Sequence, residues 1–198
     1  VVSTDDIAAL SNTQMAALSK TAGAGLTPTQ IAALSTTQVT ALTTTQVNAL
    51  KAAQVAVMST TEIAALSSAQ IAALSITGLS GLTTTQIAAL STAQAEALTT
   101  TQVAALSSTQ FSAMGTDDIA TFSTADIAAI SSRAISGLST DVIAALSSTQ
   151  IAALSKTGIA GLSTNQIAAL STTQAAVLAT TQVAALSSKQ IAALGTDV

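Results

Sequence analysis

The sequence contains no cysteine, histidine, tryptophan or tyrosine, only two phenylalanines and one proline, and 7% charged residues among 198. Soluble domains usually carry about 25% charged residues. Without cysteine or histidine there is no disulfide, no zinc finger, no haem ligand and no Cys–His nucleophile. A Ser-His-Asp triad lacks its base. Only five residues are basic, Lys20, Lys51, Arg133, Lys156 and Lys189, against nine acidic ones, for a net charge of −4. They lie far apart, so no basic patch for nucleic acid is expected. The chain is rich in apolar residues, yet its apolar runs stop at about four, as in Ile31-Ala32-Ala33-Leu34. A membrane span needs about 20, so none is expected, and no signal-peptide pattern is visible.

What is present is one repeat. Large apolar residues recur every eight positions, from Leu10, Leu18 and Leu26 through to Leu178, Leu186 and Leu194, without a slip of register. The consensus octad, starting at Ser3, reads S-T-T-Q-I-A-A-L. Position one is a hydroxyl residue except at Lys51, Gly115, Ala179 and Gly195. Position four is usually Gln, position five Ile or Val, and position seven almost always Ala or Gly. Position eight is always large and apolar. The expected core therefore includes Leu34, Leu66, Leu106, Leu146 and Leu186 at position eight. Ile31, Ile63, Val103 and Ile151 join it from position five.

A continuous α-helix does not fit. At 3.6 residues per turn, eight residues overshoot two turns by about 80°, so the apolar stripe would wind away from any single partner. Short capped helices fit better. S-x-x-Q is a capping box, in which the hydroxyl accepts from the amide three residues on and Gln reaches back. Ser35 with Gln38, Ser67 with Gln70 and Ser147 with Gln150 are the clearest cases. The Leu before each box and the Ile after it form a hydrophobic staple. One turn of helix is unstable alone, so the units must stack. The sequence predicts an all-α solenoid of about 24 octads, each burying its face against neighbours. The alternative is a β-solenoid, favoured by Thr, Ile and Val. Against it, Q-I-A-A-L does not alternate as a strand should.

The array, residues 1–198, divides into related blocks. Ser3-Thr4-Asp5-Asp6-Ile7 resembles Gly115-Thr116-Asp117-Asp118-Ile119, giving sub-blocks 3–114 and 115–194. Gly195-Thr196-Asp197 looks like the start of a third block, as expected of a piece of a longer array. Gly25, Gly81, Gly137 and Gly161 stand at position seven, and their octads also lack the position-four Gln, having Ala22, Gly78, Ala134 and Gly158 there. That pairing predicts a different local geometry.

Few residues carry site chemistry. Asp5, Asp6, Asp117 and Asp118 are weak candidates for calcium, which takes six to eight oxygens. Capping and first-turn placement at a helix N-terminus is the simpler reading of them. Ser and Thr at positions one to three form rows that offer hydroxyls to ice, glycans or a protein partner. The simpler reading is a cap followed by two solvated residues.

The repeated L-[ST]-x-x-Q-[IV]-x-A-L pattern resembles octapeptide tracts in very large bacterial secreted and surface proteins of adhesin-like type. The resemblance covers residues 3–198 and transfers no catalytic residue. It implies a structural role outside the cell or at its surface. The expected function is thus a non-enzymatic spacer, stalk or filament segment needing no cofactor or metal. Its expected partners are neighbouring repeats or other copies of itself, joined end to end. The alternative is a binding surface made of the Ser/Thr rows.

Overall fold

The structure, a computed structural model, describes residues 3–194. Among them there are twenty-three α-helices of four to six residues, one 3-10 turn at Ile135–Gly137, and no strand. The fold is an all-α solenoid, and the β-solenoid alternative is set aside. The block expected from residue 195 lies outside the described residues.

The octad explains each helix. Ser67 is extended (φ −68°, ψ 157°), and its hydroxyl accepts from the Gln70 amide at 3.2 Å. The Gln70 side-chain oxygen accepts from the Ser67 amide at 2.8 Å. Ser35 with Gln38 and Ser147 with Gln150 repeat this pair of bonds. Both ends of the box thereby satisfy amides that a helix start leaves without partners. The helix ends about one turn later. The Leu74 amide donates to the Ile71 carbonyl at 3.1 Å, and Leu74 then turns extended. An extended Leu followed by an extended Ser redirects the chain into the next helix.

Residues divide into two compact units, 1–98 and 99–198. In the first, helix Thr36–Thr40 packs on Thr60–Ala65, Thr44–Asn48 on Ser68–Ala73, and Ala52–Ala56 on Ile76–Leu79. In the second, Thr100–Ala105 packs on Thr124–Ala129, and Thr164–Ala168 on Ser188–Ala193. Every one of these pairs joins octads three places apart. The glutamine side-chain bonds between layers join residues 28 to 31 apart. A coil therefore holds about 28 residues, three and a half octads. The start of one octad lies over the middle of another.

The deepest side chains are at position five rather than position eight. Val39, Val47, Ile63, Val103 and Ile151 are fully buried, whereas Leu34, Leu42, Leu66, Leu106 and Leu146 keep 3–6% of their surface. Ile31 is likewise buried. Leu186, expected in the core, is only half-buried, because no described coil follows to cover it. For the same reason Val183 and Ile191, at position five of the last two complete octads, are exposed.

Candidate functional site

The residues with the most organised chemistry are the position-four glutamines. Fifteen octads carry Gln there, and all but Gln14 are buried. Each side chain does two jobs. In Gln38, Oε1 accepts from the Ser35 amide at 2.8 Å. Its Nε2 donates to the carbonyls of Ile7 at 3.1 Å and Leu10 at 2.7 Å, in the coil before. Gln46, Gln54, Gln70, Gln86 and Gln94 repeat this in the first unit. Gln150, Gln166, Gln174, Gln182 and Gln190 repeat it in the second. Across these eleven glutamines the bond to the position-eight carbonyl spans 2.6–3.1 Å.

Those carbonyls belong to helix C-termini, which leave acceptors without partners inside their own helix. One amide therefore caps the start of its own helix and the end of another helix a coil away. A buried amide needs such partners, since an unsatisfied polar group costs about 1–3 kcal/mol. Sequence reasoning found the local half of this role and missed the bond between coils. The signal was present. A capping box accepts Glu or Gln, yet Glu stands at position four only once, at Glu62. Only an amide brings both an acceptor and a donor.

Glu62 makes only the local half of the arrangement. It is buried, and its Oε2 accepts from the Ser59 amide at 2.6 Å. A carboxylate has no donor to offer the Ile31 and Leu34 carbonyls, which stand 31 and 28 residues back, at the offsets the glutamines bond.

The glycine octads solve the layer contact differently. A Cβ added at Gly81 would lie 2.2 Å from the Ala52 carbonyl oxygen, and one at Gly137 2.0 Å from that of Ser108. At Gly161 the distance to the Ser132 oxygen would be 2.3 Å. Their helices have no left-handed residue, so space and not backbone conformation demands glycine. Within the same octad, a Cβ on Gly78 would lie 3.0 Å from the Leu50 carbonyl, the acceptor that a glutamine would have bonded. In these three octads, which lack the glutamine, backbone approaches backbone. Gly25 has open space around it, since no described coil precedes it.

The other candidates are drawn into the same framework. Asp6 accepts from the Ser3 amide at 2.9 Å and hydroxyl at 2.8 Å, and these bonds hold its carboxyl below the usual range. Asp118 accepts from the Gly115 amide at 3.0 Å. Asp126 accepts from the Ser123 amide and hydroxyl and from Thr100 of the neighbouring coil. Asp5 and Asp117 sit exposed in first helical turns. Three position-one residues, Lys51, Gly115 and Ala179, offer no side-chain cap and rely on the position-four side chain alone.

The hydroxyl rows are exposed at position three, as at Thr37, Thr45 and Thr85. Some polar side chains tie coils together. Asn48 donates to the Ala73 carbonyl at 3.0 Å and Ser68 to that of Ala93 at 3.1 Å. An apolar groove of about 390 Å³ in the first unit is lined by Ile7, Leu18, Ala22, Gly25, Leu26, Thr27 and Gln30, none of them titratable. Among the described residues no helix is long and apolar enough to cross a membrane.

Five stretches, residues 24–52, 48–76, 77–108, 96–124 and 119–156, match the ALTTAQ repeat. Three of them are 29 residues long, close to one coil. No curated protein and no solved structure matches the chain.

Proposed function

The chain belongs to the ALTTAQ repeat family, and from that premise we propose that it is a non-enzymatic structural segment, a spacer or stalk whose length follows its number of octads. One observation carries this reading. Among the described residues every buried side-chain nitrogen or oxygen has a hydrogen-bond partner within the chain. The buried polar chemistry is consumed in capping helices and in holding one coil to the next, and the groove presents no acid or base. The setting we propose is a large bacterial protein at or beyond the cell surface, in line with the octad's resemblance to such tracts.

A spacer must lengthen when repeats are added. Duplicating residues 35–90, seven octads or two coils, keeps the register between layers. Small-angle scattering of the two chains should then show a larger maximum dimension at unchanged cross-section. Growth of both together would overturn the spacer reading. Association between copies is the second part of the proposal. It is supported by the sparse charge, which leaves little repulsion between surfaces. Light scattering at two concentrations tests it: a mass that rises with concentration supports association, and a constant monomer mass removes it.

A further inference from the structure

We propose that each unit is extensible, releasing chain one coil at a time under tension. The inference deepens the spacer reading and rests on it. The principal packings inside each unit join octads three places apart, and the glutamine bonds join octads four places apart. Each coil is therefore fastened to the coil before it and the coil after it. Tension along the chain loads the outermost coil first, because that coil has one fastened face instead of two. When it leaves, the next coil inherits the same position and the same kind of bonds. The barrier recurs, in the nearest-neighbour manner of stacked repeats.

The size of the released piece follows from the helices. At four to six residues they have no stability apart from their neighbours. A detached coil loses its helices with its packing and gives up its whole length. About 28 residues at 3.3–3.6 Å each is about 95 Å of chain.

The fastenings are not uniform. In the first unit Gln38, Gln46 and Gln54 secure three consecutive octads. In the second, Ala134 and Val142 occupy position four of consecutive octads, so neither provides an amide to the coil before. That layer should part at the lowest force in its unit.

The test is single-molecule extension of the 198-residue chain held between marker domains of known length. Repeated increments of about 95 Å are expected. Release of a whole unit in one event, about 320 Å or more, would overturn the proposal. So would increments of a single octad, about 28 Å. Either result would leave the spacer reading standing, since that is judged by the duplication series. Val142→Gln supplies an amide toward the Phe111 and Met114 carbonyls. It should raise the lowest force step of the second unit without changing increment length. An unchanged force would overturn the role given to the glutamines.

Discussion

The glutamine octads and the glycine octads occupy equivalent places in the solenoid and hold it together in opposite ways. At Gln94 the layers are bridged by a buried amide, 2.8 Å from the Ile63 carbonyl and 2.7 Å from that of Leu66. At Gly137 no side chain intervenes, and the backbone lies against that of Ser108 so closely that one methyl group has no room. The contrast teaches that the layer spacing is set locally by what stands at positions four and seven. A long amide props the layers apart and bonds them. In the octads of Gly81, Gly137 and Gly161 the amide is absent and the backbones close, and that closure demands glycine. The close approach does not itself change the helix type: the octads of Gly81 and Gly161 are α-helical, and that of Gly137 forms a 3-10 turn.

The sharpest way to break the contrast is to put a methyl group into the closed layer. Gly137→Ala places a Cβ 2.0 Å from the Ser108 oxygen, and the backbone must shift. Overpacking of this kind costs about 3 kcal/mol. Gly25→Ala meets nothing within 4 Å and should be neutral or stabilising by about 0.5 kcal/mol. Urea unfolding of both variants makes the comparison, and equal losses would show that steric closure is not the reason for glycine.

Gln94→Leu attacks the other kind of layer. It removes the donor of the Leu66 carbonyl and the second donor of the Ile63 carbonyl, which keeps its bond from the Leu66 amide, and should cost about 2 kcal/mol. Gln14→Leu is the control. Gln14 is exposed and bonds only the Ser11 amide of its own cap, so its loss should cost about 1 kcal/mol or less. If the two variants unfold at the same denaturant concentration, the bond between coils contributes nothing measurable.

The reverse change sharpens the same point. Glu62→Gln keeps the bond to Ser59 and adds the missing donor toward Ile31 and Leu34. A gain of about 1 kcal/mol is expected, read as a higher unfolding midpoint. A loss would mean that Glu62 fits its layer better than an amide does.

Much of this was legible in the residues. The eight-residue period excluded a straight helix, and Ser67 with Gln70 announced the helix start, because capping is a local matter of three residues. The pairing of Gly81 with Gly78 signalled a different geometry, though not its cause. What the octad alone did not reveal was the coil. Its length of about 28 residues is not a whole number of octads, so the repeat period does not give the neighbour. The second bond of Gln38 lies 28 to 31 residues away for that reason. Leu42, at the position that is always large and apolar, reads from the sequence as the firmest kind of core residue, and the structure corrects this. Val39 lies deeper because the following coil covers position five completely.

The smallest expected effect concerns the third occupant of position four, the aspartates. Asp6 is fully exposed, and its carboxyl is held below the ordinary value first by the Ser3 amide and then by the Ser3 hydroxyl. Its folded pKa is therefore lower than its unfolded one. Between those two values the unfolded chain binds the additional proton, so stability rises with pH across that window. The contribution is complete above the unfolded value and is lost as pH falls through the folded one. Carboxylate chemical shifts followed through an acid titration should place the Asp6 midpoint of the folded chain below that of the same residue in the urea-unfolded chain. Ser3→Ala removes the hydroxyl bond but keeps the amide bond, and it should recover only the lesser part of the difference. An Asp6 midpoint unchanged between the folded and unfolded chains would mean that this cap, unlike the buried glutamines, leaves the helix start indifferent to its side chain.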